Sequence, residues 1–387
     1  MNTPTGYRIV SYGDMITDRA RMDAYARALR QSVRPGCLVL DIGAGTGIFS
    51  LLACQFGAGE VHAVEPNAAI EVARTLAADN GYRDRITFHQ ALSTAIELPR
   101  RADVIVSDLR GVLPLFQRHI PAIADARRRL LAPGGALIPA RDTLWAALIE
   151  DPKLYRPYAE PWLENPYGLD LRAGYRLVVN TWRKINAKAE HLLVPPQRWA
   201  MLDYDRIEQT DLAGELVWTI ERPATAHGLL LWFDADLGHG LGFSNAPGEP
   251  DLIYGQAFFP LQEPIDLVTG DQVRVAVGAD LVGDNYVWRW RTRVNAPGEP
   301  PRQKAAFNQS TFHGEVFSPA QLRRREGGHV PVLDAAGQAD GYLLSLMDGQ
   351  RSLSEIARRV AERHPDQFPR LEDALGRAGE LAVKYGR

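Results

Sequence analysis

"VLDIGAGTGIFSLLACQFGAGEVHAVE", residues 39–65, decides the fold. Its first residues are a short apolar run of the kind that forms a buried strand. A glycine-rich turn and an apolar helix-like stretch follow, and "EVHAVE" supplies a second strand. The pattern continues outward: "NAAIEVARTLAADNG" reads as a helix, "ITFHQA" as a strand and "ADVIVSDL" as another. Strands that alternate with helices in this way predict an open, mainly parallel α/β sheet with its ligand at the carboxyl ends of the strands.

Strand, glycine turn and helix also describe dinucleotide binding. Here the glycines are Gly43, Gly45 and Gly47, and Ile48 stands where a GxGxxG fingerprint wants its third glycine, which weakens that reading. Asp41 near the end of the first strand and Glu65 ending the second sharpen the alternative. A carboxylate at the second position can accept both ribose hydroxyls of a nucleoside.

The 387-residue chain is long for one core and predicts two or three domains. Hydrophobic content of 45% and charged content of 24% are ordinary, and a net charge of −3 gives no global field for nucleic acid or membrane. The two cysteines, Cys37 and Cys54, lie in apolar segments, which argues against a disulfide framework and for a reducing, cytoplasmic setting. No run approaches the length of a membrane span, and "MNTPTGYRIV" lacks the pattern of a secretion signal. No His/Cys/Asp set has metal-ligand spacing.

In order and spacing, "MITDRARMDAYARAL" (15–29), the 39–65 stretch, "ADVIVSD" (102–108) and "LLAPGGALIP" (130–139) resemble successive motifs of the protein arginine methyltransferases, a family of class I S-adenosylmethionine-dependent methyltransferases. The resemblance implies S-adenosyl-L-methionine as cofactor. Arg21 would grip its carboxylate, Asp41, Gly43 and Gly45 would line the methionine part, and Glu65 would hold the ribose. Ser93 and Thr94 fall at the adenine position, where the family usually has a glutamate in place of Thr94.

From about 140 to 315, short alternating segments broken by Gly and Pro predict a β-sandwich or barrel. "PYAEPWLENPYGLDL" is similar to the family's lead into a dimerisation arm, which places the arm at 171–205 and implies a head-to-tail homodimer. The expected layout is thus a Rossmann-like methyltransferase domain over 1–140, a β-barrel substrate domain over 141–315, and a small helical or winged-helix module over 328–387. In that module Ser352 and Glu355 form a capping-box pattern, and Leu353, Ile356, Ala357 and Val360 make one helix face. Its pattern is similar to PqqD-like domains, which bind leader peptides by strand addition, so a leader or carrier peptide is an expected partner.

The chain departs from the family where an arginine acceptor would be held. The family uses two glutamates on one loop and a Thr-His-Trp stretch in the barrel. In "SDLRGVLPLFQRH" (107–119) the first glutamate position is Asp108 and the second is Gln117, Leu109 replaces an aromatic, and Arg110 adds positive charge. The Thr-His-Trp positions fall on Leu252, Ile253 and Tyr254. Replacing a partly buried carboxylate by an amide forfeits roughly 2–5 kcal/mol of charge-assisted pairing.

Three functions follow. The leading one is methylation of a non-arginine acceptor, a small molecule or peptide, with Asp108 as its carboxylate, Arg110 pairing an acceptor anion, His119 as general base, and Tyr12 and Tyr254 lining the pocket. The others are an atypical arginine methyltransferase and a catalytically silent scaffold. His62 and His89, on expected strands, read as structural.

Overall fold

The computed structural model describes residues 7–386. Residues 1–6, part of the stretch read for a secretion signal, lie outside the described residues. Contacts divide the chain into two units, Met1–Glu315 and Val316–Arg387, so the two larger expected domains pack as one body.

Helices α1 (Ile9–Thr17) and α2 (Arg19–Ser32) precede the parallel sheet. The sheet is built from β1 (Leu38–Ile42), α3 (Ile48–Gln55), β2 (Glu60–Val64), α4 (Ala69–Asp79), β3 (Ile86–His89), β4 (Ala102–Ser107), α5 (His119–Arg129) and β5 (Leu131–Ile138). Every residue of β1 is buried, which is why its sequence reads as an unbroken apolar run around Asp41. The strand order β3-β2-β1-β4-β5 reverses between β1 and β4 and opens a crevice at their carboxyl ends. Ile42 pairs with Ser107, so the glycine loop after β1 and the loop after β4 leave the sheet side by side.

The following region holds β6 (Arg141–Ile149), α6 (Pro152–Leu163), α7 (Arg172–Val178), β7 (Arg183–Ile185), β8 (Gln197–Asp203), β9 (Leu212–Thr219), β10 (Ala224–Gly238), β11 (Leu241–Ser244), β12 (Gln256–Leu267), β13 (Gln272–Val282), β14 (Asn285–Ala296) and β15 (Arg302–Ser310). One antiparallel sheet runs β7-β12-β10-β6-β8 with β11 on β10, and a second runs β15-β14-β13-β9. Trp199 and Phe259 of the first meet Trp288 and Trp290 of the second in the core. Both β14–β12 and β8–β13 are also tied by indole donors, from Trp290 Nε1 to the Pro260 carbonyl and from Trp199 Nε1 to that of Val277.

The interval expected as the arm is corrected here. Its end, Gln197–Asp203, is strand β8 paired with β6 and belongs to the sheet, whereas the helical excursion begins earlier, with α6. Pro157 and Pro161 inside α6 hid that helix from its sequence. The helix stands because Asp151 caps it, Pro152 sits in its first turn, and the Tyr155 and Tyr175 hydroxyls bond at 2.7 Å between α6 and α7.

After α8 (Thr311–Gly314), the second unit holds α9 (Pro319–Arg323), α10 (Ala335–Ser345), α11 (Leu353–Arg363) and α12 (Leu371–Tyr385). Leu343, Leu346, Ile356, Val360, Ala378 and Leu381 form its core, and the capping box at Ser352 and Glu355 is present. No strand occurs among the described residues of this unit. The winged-helix option and docking by strand addition are therefore set aside, because there is no sheet edge to receive a strand.

Candidate active site

The crevice is floored by the glycine loop. Gly43, Gly45 and Gly47 have φ of 75°, 53° and 83°, a backbone only glycine adopts without strain. The space above two of them is already used: a Cβ on Gly43 would lie 2.4 Å from Leu109 Cδ2, and one on Gly45 would lie 2.4 Å from Tyr12 Cε1. Glu65 is buried at the end of β2. Its Oε2 accepts from the Gly45 N–H at 3.1 Å, and its Oε1 accepts from the Asn67 backbone and side chain at 2.9 and 2.8 Å. The carboxylate is thus held at the mouth of the loop, with one lone-pair site open on Oε2; a diol would take that site and displace the Asn67 side-chain amide from Oε1.

Asp41 is fully buried. Its Oδ2 accepts from the Ser50 N–H and hydroxyl at 3.0 and 2.7 Å, and its Oδ1 has no partner in the protein. Burial, only partly opposed by Ser50, pushes this carboxyl up to about 7. An unfolded aspartate releases its proton near pH 4, while the folded one keeps it to about 7. Asp41 therefore contributes most to stability below about 4, and that contribution is lost as pH rises through the window, by on the order of 4 kcal/mol. Asp41→Asn should flatten this slope in urea titrations run at pH 4 to 7, and an unaltered slope would show that Asp41 is ionised throughout.

A cradle of small residues, an unsatisfied buried acceptor and a fixed carboxylate at the next strand end together suit an S-adenosylmethionine moiety. Ser93 lies buried in the Ser93–Ala95 turn with its carbonyl held by Arg129, while the neighbouring Thr94 is exposed. Among the described residues no hydrogen bond links either to the glycine loop.

The acceptor side is a closed polar network. Asp18 caps α2: its Oδ1 accepts from the Arg21 N–H at 3.3 Å, while its Oδ2 accepts from the Ile253 N–H of the barrel at 2.9 Å. Arg21 so positioned donates through Nε to Asp108 Oδ2 at 2.6 Å, and the Tyr254 hydroxyl donates to the same oxygen at 2.6 Å. Arg110 donates to Asp108 Oδ1 at 3.2 Å and to the Tyr25 hydroxyl at 2.6 Å. Its Nε and Nη2 grip Asp142 bidentately at 2.8 and 2.7 Å, and the Tyr204 hydroxyl adds 2.6 Å to Asp142. Burial alone would raise the Asp108 pKa, but Arg21 and Arg110 hold it below the usual carboxylate range. Two buried arginines and two buried aspartates leave this cluster with no net charge.

Several expected roles change. Arg110 is not available to an acceptor anion, because its side chain is wholly buried and committed to Asp142, Tyr25 and Asp108. His119, the first residue of α5, is buried against Tyr204, and burial, then Arg110, push its imidazole down to about 4. It stays neutral and enclosed and does not reach an acceptor as a base. Gln117 is exposed with φ 44° and is not brought to Asp108. Tyr12 lies over Gly45, with burial and then the Glu65 charge pushing its hydroxyl up to about 12, so it covers the cofactor side. Tyr254 does sit with Asp108. His62 bridges His89 at 2.8 Å and Glu60 at 2.9 Å, away from this network. Asp142, Tyr25, Tyr204 and Asp18 were not foreseen; the sequence signal was Arg110, a cation set between Leu109 and the apolar 111–116 stretch.

Residues 140–285 match the family described as the arginine methyltransferase oligomerization subdomain, and residues 39–135 match a methyltransferase domain. The chain is 30% identical over 276 residues to a probable histone-arginine methyltransferase 1.3 of Arabidopsis thaliana, covering 67% of this chain and 52% of that protein. It is 30% identical over 294 residues to protein arginine N-methyltransferase 2 of Homo sapiens, covering 71% and 67%. It spans about half the length of the first curated relatives it matches, 52% and 53%. In fold it is similar to a chain of the Trypanosoma brucei PRMT1 enzyme-prozyme heterotetrameric complex with AdoHcy, with a TM-score of 0.71 at 21% identity over 78% of this chain and 98% of that one. With both segments matched in order, and the human relative covered over two thirds of its length, the chain belongs to the protein arginine methyltransferase family.

Proposed function

We infer that this chain transfers a methyl group from S-adenosylmethionine to an acceptor that carries no permanent positive charge. The bound cofactor supplies an electrophilic methyl on sulfur. Glu65 holds the ribose, the glycine loop and Asp41 line the methionine part, and Arg21 offers its remaining Nη2 to the cofactor carboxylate while its Nε stays on Asp108. The observation that carries the acceptor reading is the compensation of Asp108: two guanidiniums and a phenol already satisfy the only carboxylate at the acceptor position. A substrate guanidinium would meet a cluster that is already neutral and find no free carboxylate to pair it, whereas an acceptor without permanent positive charge needs none.

The same network limits the chemistry. Asp108 is held ionised and is a weak base, and His119 is enclosed, so neither of these described residues offers the crevice a strong general base. Acceptors that offer a lone pair without losing a proton first, a carboxylate or an unprotonated nitrogen of a natural product or modified peptide, suit it best. A homodimer built through α6 and α7 is part of this reading, supported by the match to the oligomerization subdomain. So is a docking role for the helical second unit toward a leader or carrier peptide, supported by its exposed Leu353, Leu371 and Leu375. No helix among the described residues is long and apolar enough to cross a membrane, and a cytoplasmic setting fits the two buried free thiols.

Arginine methylation is the second reading, favoured by the names of the relatives. Isotope-labelled S-adenosylmethionine, offered with an arginine-rich peptide and with a panel of carboxylate and nitrogen acceptors, separates the two by product identification. Label should appear on the panel and not as methylarginine. Gln117→Glu should leave methylarginine undetected, since it adds charge at an exposed position while Asp108 stays compensated. Robust methylarginine from either protein would overturn the acceptor reading.

A further inference from the structure

Strand β14 turns Trp288, Trp290, Thr292 and Val294 inward, which leaves Arg289, Arg291 and Arg293 on the opposite face. Arg274 of β13 stands directly across from Arg293. Between the long side chains the partners are small: Ala276 faces Arg291, Gly278 faces Arg289, and Ala213 of β9 lies across from Gly278. The sheet face therefore sinks into a shallow trough of about 440 Å³.

Four guanidiniums line it, and two have carboxylates of their own. Arg274 pairs with Glu215 at 2.9 Å, and Arg289 grips Asp280 at 2.6 and 2.8 Å. Arg291 and Arg293 are exposed and form no ion pair among the described residues. Like charges directly opposite on neighbouring strands destabilise a sheet, so Arg274 beside Arg293 is a cost that an anionic ligand would relieve.

We propose that this trough docks an acidic peptide segment in extended conformation, with carboxylates at alternate positions seated on Arg291 and Arg293. Those two side chains stand about 6.8 Å apart along the strand, twice the rise of roughly 3.4 Å per residue, and an extended peptide repeats its side chains at the same interval. Carboxylates suit the planar guanidinium fork bidentately. Nucleic acid is the poorer match: the chain is net acidic, and two spare cations flanked by Glu215 and Asp280 do not make the extended basic track that a phosphate backbone needs. The trough also has a direction. At the β13–β14 hairpin the Gly283 carbonyl accepts from Arg118 at 3.3 Å, next to Gln117, so β14 starts at the acceptor loop and runs away from it. A peptide seated along β14 has one end aimed at that loop.

The docking is read by binding alone and stands or falls separately from methyl transfer. A fluorescein-labelled peptide alternating Glu and Ser is titrated with the full chain by anisotropy. Binding should weaken as salt rises from about 50 to about 250 mM, as expected for exposed ion pairs. It should fall by about 10-fold or more in Arg291→Glu/Arg293→Glu, and vanish when the peptide's Glu are replaced by Lys. S-adenosylhomocysteine binding, unchanged in the variant, reports that the fold is intact. No peptide binding, equal binding by the charge-reversed variant, or tighter binding of a single-stranded oligonucleotide of the same charge would each overturn the proposal.

Discussion

Arg110→Met lowers the stability of the folded chain by roughly 3–5 kcal/mol, read as a shift of the urea midpoint at neutral pH. The size follows from what the substitution leaves behind. Asp142 has no exposed surface, and of its three side-chain donors only the Tyr204 hydroxyl would remain. Asp108 would lose one of its two cations. An unpaired buried carboxylate costs far more than the ion pair contributes relative to a neutral core, so the second substitution should repair the first. Arg110→Met combined with Asp142→Asn keeps an acceptor for Tyr204 and should recover more than half of the loss. Additive losses would mean that the two residues do not act as one pair.

Glu65→Ala should weaken S-adenosylhomocysteine binding by at least about 100-fold in calorimetry, with the chain still folded. A carboxylate that accepts two ribose hydroxyls makes two charge-assisted bonds of roughly 1.5–3 kcal/mol each, and alanine removes both. The Gly45 N–H also loses its acceptor, so the loop itself slackens. Glu65→Gln keeps an acceptor of the same length and should fall between wild type and alanine. An affinity unchanged by either substitution would take Glu65 out of the ribose site.

What the sequence revealed and what it hid follow the range of each interaction. The parallel sheet, the glycine turn and the carboxylates at strand ends are local patterns, and each appears where spacing placed it. The capping box is equally local, four residues in one turn. The acceptor network was opaque because its members are far apart: Arg110 meets Tyr25 across 85 positions and Asp142 across 32, and no periodicity joins them. Arg110 therefore read as a free cation when it is the most enclosed one in the site. His119 misled in the same way, since a histidine at a helix start looks exposed until Tyr204 is packed against it. In α6 the failure was different: two prolines argued locally against a helix that its cap and its neighbour α7 sustain.

Asp18 fastens the helix bearing Arg21 to the barrel loop bearing Tyr254 with the two oxygens of one carboxylate. Those segments lie more than two hundred positions apart, yet they form a single heritable unit. A change in the path of the 251–254 loop would move the Ile253 N–H away from Asp18 and loosen the cap that positions Arg21. The barrel loop and the start of that helix therefore constrain one another's variation although no stretch of chain joins them.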